Sequence, residues 1–258
     1  MSYEHVRLEI SGAVAAIWID RPAARNSLTR QTGLEIYDAI SRVAADPNIR
    51  ICIVRGTGKD FCCGADLKAP EPAGDNKPPP AFDTYQVTVL LHEMRPVTVA
   101  AIRGGCAGAG FGWACACDLR VADETLVMNP AFLTVGVAGD MGVPWTLPRL
   151  VGAGRARDLS FFPRKVLAAE ALEIGLVNRV WPTATFENEL RAFIDHLEKA
   201  APQALAYMKA HFVDAERTDL RAYMSLEAER HVRLLQSDDR IEAFRAWLEK
   251  RPGVFTGR

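Results

Sequence analysis

Phe61-Cys62-Cys63-Gly64-Ala65-Asp66-Leu67 and Gly104-Gly105-Cys106-Ala107-Gly108-Ala109-Gly110-Phe111-Gly112 are the two stretches on which the reading of this chain turns. Each follows an apolar run with strand character, residues 50–55 before the first and 97–102 before the second. Each leads into a segment that can turn helical. A strand-to-helix junction leaves backbone N–H groups without carbonyl partners, aimed at whatever sits above the helix start. Small side chains let a ligand approach that backbone closely. Two such junctions converging on one point would polarise a carbonyl as an oxyanion hole. The plainer alternative for the glycine-rich stretch is a tight strand-to-helix packing site.

Other phosphate and nucleotide readings of these glycines fail. Gly108-Ala109-Gly110-Phe111-Gly112 lacks the spacing of a dinucleotide fingerprint, and no strand follows with an acidic residue at the proper distance. No Lys-Ser/Thr pair closes a P-loop.

Around these stretches the motifs Arg21-Pro-Ala-Ala-Arg25-Asn26-Ser-Leu, Gly-Lys59-Asp-Phe-Cys-Cys-Gly64-Ala65-Asp66-Leu, Arg95-Pro-Val-Thr-Val-Ala-Ala-Ile and Cys117-Asp118-Leu-Arg follow one another in order. The chain resembles the enoyl-CoA hydratase/isomerase (crotonase) superfamily nearly end to end. The resemblance implies an α/β fold: a crotonase-like ββα spiral core with a C-terminal helical region, divided as residues 1–200 and 201–258. It also implies an acyl-CoA thioester as substrate, with coenzyme A entering as part of that substrate and no separate cofactor or metal. Self-association as a homotrimer or hexamer is the further expectation.

The resemblance assigns roles to residues. The amides of Ala65 and Ala109 would hold the thioester oxygen, with Gly64, Asp66, Gly108 and Gly110 around the substrate. Arg25 and Lys59 match positions of basic side chains near the adenine and phosphates of coenzyme A, where exposed cations suit a phosphate-rich ligand. Taken alone, either one also reads as a solvated surface charge. Asp66 reads as a helix N-cap rather than a catalyst. Ala109 stands where family members carry the middle glycine of three, a departure tolerable only where the backbone does not need positive φ.

The carboxylates depart further. Two-glutamate hydratases of this family place one glutamate two residues after the third glycine of the loop, which is Gly112 here, and a second at the position of Ala131. Hydration requires a base for the water and an acid for the α-carbon, and neither hydrogen nor methyl supplies a proton. Asp140, in Val135-Gly136-Val137-Ala138-Gly139-Asp140-Met141-Gly142, is similar to the single aspartate of an isomerase-type branch, where it shuttles a proton. It could equally cap a helix over 143–150. Tyr85, His92 and Glu93, on a helix that lines the acyl pocket in this family, are alternative bases or surface and packing residues. Trp113 and Phe132 shape either the acyl pocket or the core.

Composition bounds the rest. The 258 residues, 49% hydrophobic and 24% charged, suit a sizeable globular core. A net charge of −1 excludes a broad basic field for nucleic acid. The first ten residues lack a signal-peptide core and no run is long enough to span a bilayer, so a cytoplasmic location without membrane contact is expected. Six cysteines without zinc spacing read as reduced, small, buried residues.

Secondary structure follows from periodicity and turn residues. A hairpin is expected around Ser11-Gly12, helices over 29–45 and 81–94, and strands over 50–54, 96–102, 119–122 and 125–128. Residues 111–116 should continue a helix out of the second loop. Residues 68–80, rich in Pro, Gly, Asp and Lys, read as a mobile surface segment. A short strand is expected at 177–181, then three helical stretches from 186 to 248.

Overall fold

The computed structural model describes residues 3–68 and 81–258. The strands are β1 (Val6–Ser11), β2 (Val14–Ile19), β3 (Ile51–Gly56), β4 (Val97–Ile102), β5 (Gly105–Ala107), β6 (Leu119–Asp123), β7 (Val127–Asn129), β8 (Val166–Leu167) and β9 (Arg179–Trp181). The helices are α1 (Arg30–Ala45), α2 (Phe82–Glu93), α3 (Ala109–Ala116), α4 (Val143–Val151), α5 (Ala153–Phe161), α6 (Ala168–Glu173), α7 (Phe186–Glu198), α8 (Pro202–Ala215), α9 (Leu220–Leu235) and α10 (Asp238–Leu248).

The expected hairpin forms with Gly12 at φ +58 in its turn, and β1 pairs antiparallel with β2. From β2 onward the large sheet is parallel, in the order β1-β2-β3-β4-β6-β9. A small second sheet, β5-β7-β8, stands beside it. Parallel strands covered on both faces read as continuous apolar runs, and β3 and β4 show why. In β3, Cys52 and Val54 enter the main core with Ile36, Leu91 and Trp113, while Ile51 and Ile53 pack under Phe186, Leu190 and Ile194 of α7. The period of two sends alternate side chains to opposite layers.

Helix α1 begins where its sequence chemistry says it should. Thr29 is its N-cap, accepting from the Thr32 amide at 3.2 Å, and Thr32 returns the bond to the Thr29 amide. Helix α8 is pinned to the sheet by Lys209, a buried cation. Its Nζ donates to the carbonyls of Leu91 (3.1 Å) and Pro96 (2.9 Å) and lies 2.8 Å from the Asp118 carboxylate.

Three expectations are corrected or bounded, and one short strand was not foreseen. The stretch from 186 to 248 holds four helices, because Ser237 caps α10 through the Arg240 amide without any proline or glycine to announce the break. The two-residue strand β8 was too short to show a period. Helix α3 begins at Ala109, two residues before the expected start. Of the segment read as a mobile surface loop, residues 69–80 lie outside the described residues.

Candidate active site

The two small-residue loops lie side by side. Phe61 and Cys62 donate to the Gly105 carbonyl (3.0 and 3.1 Å), and Ala107 donates back to the Cys62 carbonyl (2.9 Å). A methyl added at Gly64 would stand 3.1 Å from the Ala107 oxygen and 3.4 Å from the Gly108 Cα, and one at Gly108 would meet the Gly64 Cα at 3.4 Å. Glycine at 64 and 108, both at positive φ (+83 and +52), therefore lets the junctions touch backbone to backbone.

Cys62 sits beneath both loops, and the amides of Gly64 and Gly110 face its sulfur. A side chain at Gly110 would collide with Cys62, its first atom 2.5 Å from the Cys62 oxygen. Burial pushes the Cys62 thiol up to about 12, so it stays protonated. The amides next in line, Ala65 and Ala109, have no backbone partner among the described residues. Ala65 is flanked by bonds that leave it out, since the Leu28 amide reaches the Gly64 carbonyl (2.8 Å) and the Asp66 amide the Leu28 carbonyl (2.9 Å). Ala109 opens α3, where an amide has no intrahelical acceptor. Its φ is not positive, because Gly108 takes the left-handed turn, so the methyl at 109 meets the condition set by its departure from glycine.

The residue after Asp140 packs against α3. A methyl at Gly112 would be 2.5 Å from the Met141 Cβ and 3.0 Å from the Met141 oxygen. The space a Gly112 side chain would need is thus filled by the residue after Asp140. Ala131 is also unusual, a non-glycine residue at φ +55 whose amide donates to the Asn129 side chain at 3.0 Å. Asp140 does not act as the cap of α4. Gly142 holds that position without a side-chain bond, and only the Asp140 carbonyl takes part, accepting from the Val143 amide at 3.1 Å. The Asp140 Oδ1 is buried without a hydrogen-bond partner, and burial raises the pKa of this carboxyl above the ordinary aspartate range.

The remaining candidates divide. Arg25, itself left-handed at φ +54, grips Asp60 with two bonds of 2.9 Å and keeps its guanidinium largely exposed. Asp60 also accepts from the Gly105 amide at 2.7 Å, linking Arg25 to the second loop. Lys59 is exposed on the same turn. Asp66 caps no helix among the described residues; it pairs with Arg21 at 2.9 Å and accepts from the Lys68 amide at 3.1 Å. His92 bonds Glu216 at 2.8 Å and stacks edge-on to Trp145, while Glu93 pairs with Arg217. Those two side chains fasten α2 to the end of α8. Tyr85 is partly exposed on α2, and Trp113 and Phe132 are buried members of the core.

Two buried side chains that hydrogen-bond across to backbone carbonyls, Asn26 and Thr88, escaped the sequence. Asn26, fully buried, accepts from the Arg21 amide and donates to the carbonyls of Thr57 and Asp60, welding the 21–28 turn to the first loop. Its only sequence signal was its place in the Arg25-Asn26 motif. Thr88 gave none.

A spiral of strand–strand–helix units with two converging amide junctions defines a crotonase-fold protein. The family model described as enoyl-CoA hydratase/isomerase matches residues 9–258, and the chain belongs to that family. A Rhodobacter capsulatus protein named "Probable enoyl-CoA hydratase" is 36% identical over 259 residues, with both chains fully covered. The crotonyl-CoA hydratase of Syntrophomonas wolfei is 31% identical, again over the full length of both. The mitochondrial Delta(3,5)-Delta(2,4)-dienoyl-CoA isomerase of Rattus norvegicus is 30% identical over 92% of this chain and 77% of its own. Among solved structures, an enoyl-CoA hydratase from Bacillus anthracis superposes with a TM-score of 0.91 at 28% identity, covering 99% of this chain and all of that one. No helix among the described residues is long and apolar enough to cross a membrane.

Proposed function

We propose that the chain isomerises the double bond of an enoyl-CoA thioester through an oxyanion-stabilised enolate. The observation that carries this reading is the pairing of one half-buried carboxylate, Asp140, whose Oδ1 is enclosed without a hydrogen-bond partner, with two positions, Gly112 and Ala131, that have no acid or base to offer. The thioester oxygen takes hydrogen bonds from the Ala65 and Ala109 amides, which lowers the energy of the enolate. Asp140 removes a proton from the α-carbon of a 3-enoyl thioester and returns it to the γ-carbon, so the double bond moves into conjugation and no atom is gained or lost. Burial raises the proton affinity of Asp140 and so strengthens it as a base. Arg25 and Lys59 serve the phosphates and adenine of coenzyme A at the mouth of the site, within the 1–200 core.

Hydration is the second reading, favoured by the names of the relatives. It needs a base outside the two usual positions, and the engagement of His92 with Glu216 and of Glu93 with Arg217 weighs against both. Exposed Phe244, Trp247 and Leu248 on α10, within the 201–258 helical region, support assembly into homotrimers or hexamers, and we place the enzyme in the cytoplasm.

The test is turnover of 2-enoyl- and 3-enoyl-CoA thioesters by the wild type and Asp140→Asn, read by mass in deuterated water. Isomerisation leaves the mass unchanged apart from exchanged deuterium, hydration adds a water, and hydrolysis releases free coenzyme A. The asparagine variant should bind acyl-CoA yet lose exchange. Full exchange by that variant would refute the shuttle.

A further inference from the structure

Residues 139–142 turn through positive φ, easily at the two glycines and against preference at Met141. Gly139, Met141 and Gly142 take φ of +110, +46 and +71, and a methionine in the left-handed region persists only where its surroundings over-determine it. Two neighbours supply that constraint. On one side Met141, itself buried, fills the space left by Gly112 on α3. On the other, the Thr88 hydroxyl of α2 donates to the Met141 carbonyl at 3.0 Å in a buried bond. Thr88 also lies close to the next residue, its Cγ2 2.9 Å from where a Gly142 Cβ would be. Clamped between α2 and α3, the peptide after Met141 cannot rotate without breaking one of these contacts.

We infer that Thr88 is a positioning residue for catalysis, fixing the Asp140 carboxylate over the substrate through its bond to the Met141 carbonyl. This inference rests on the shuttle reading of Asp140. The methyl of threonine packs, and its hydroxyl orients. Removing the hydroxyl alone should let the 139–142 segment turn while acyl-CoA continues to bind, since the amides of Ala65 and Ala109 are elsewhere. A displacement of about 1 Å in a catalytic group costs on the order of 100-fold in rate.

The experiment compares Thr88→Val and Thr88→Ser with the wild type, using 3-hexenoyl-CoA in deuterated water. Thr88→Val should lower kcat for isomerisation and exchange about 100-fold with KM within a few-fold. Thr88→Ser, which keeps the hydroxyl, should recover most of the rate. Should Thr88→Val lack a cooperative melt, Thr88→Ala, which loses hydroxyl and methyl together, is read against Thr88→Ser, which loses the methyl alone, so that their difference reports the hydroxyl. Wild-type kcat in the hydroxyl-free variant overturns the inference. So does an equal loss in both the valine and serine variants, which marks a packing role. Asp140→Asn separates the two ideas: an inactive asparagine variant beside an active Thr88→Val refutes the positioning role alone, whereas an active asparagine variant refutes the shuttle and this inference with it.

Discussion

Gly112 offers the most direct perturbation, because its missing side chain has a defined collision. An added Cβ would lie 2.5 Å from the Met141 Cβ, about 1 Å inside the ~3.5 Å of an ordinary carbon contact. The second atom struck, at 3.0 Å, is the Met141 backbone oxygen that Thr88 holds. Neither is the far end of a flexible side chain, so relief must come from moving the 139–142 backbone or α3. Gly112→Ala should therefore cost about 1–3 kcal/mol of stability, the usual range for overpacking. That corresponds to a fall in Tm of about 2–4 °C for each kcal/mol in a chain of this size. The same displacement carries Asp140 with it, and exchange at the substrate carbons should fall on the order of 100-fold. Gly112→Glu restores a carboxylate where the two-glutamate hydratases have one, yet it should yield no hydrated product, because its Cβ meets the same obstruction. Scanning calorimetry and mass analysis of the products read both effects. Gly112→Ala with wild-type melting and exchange, or a glutamate variant that adds water, would refute the reasoning.

Lys209→Met keeps the stem of the side chain but removes the ammonium from the Leu91 and Pro96 carbonyls and from Asp118. Breaking a buried pair on one side should cost about 3 kcal/mol in urea unfolding, and a change under about 0.5 kcal/mol would show that α8 docks by apolar contact alone. Asp140→Asn should stabilise the fold at neutral pH. Burial raises the folded-state pKa above the unfolded one, so the wild type has its full contribution below about pH 3.9 and loses it as pH rises through the folded value. The gain in Tm of the asparagine variant should accordingly be present at pH 7 and absent near pH 3.5; the same gain at both would locate the effect elsewhere.

The parts of the fold that were legible were those where pattern and chemistry agree over many residues. The 51–56 strand runs apolar because both its faces are covered, the 14–19 strand buries alternate residues, and α1 announces itself by Leu34, Ile36, Ile40 and Val43 at near-helical spacing. The break between α9 and α10 was not legible, because serine caps a helix as readily as it sits on an exposed face. Strand β8 exists because β7 offers it an edge, a fact about a distant residue and not about Val166-Leu167.

The site divides along the same line. Backbone functions can be read locally, since glycine at 64 and 108 is demanded by the contact each makes and the amides that follow are freed by the same geometry. Side-chain functions need a partner across space. Asp140 read equally as a shuttle or a cap because its own neighbours, a glycine-rich turn before a helix, permit both; the position of Gly142 and the partnerless Oδ1 remove the cap. Gly112 looked like a deletion of function, a glutamate lost. Its contact with Met141 adds a second meaning: the glycine makes room on α3 for the residue that follows Asp140. Gly112 and Asp140 are thus linked through Met141, and on the shuttle reading a side chain at 112 would displace the residue that follows the proton carrier.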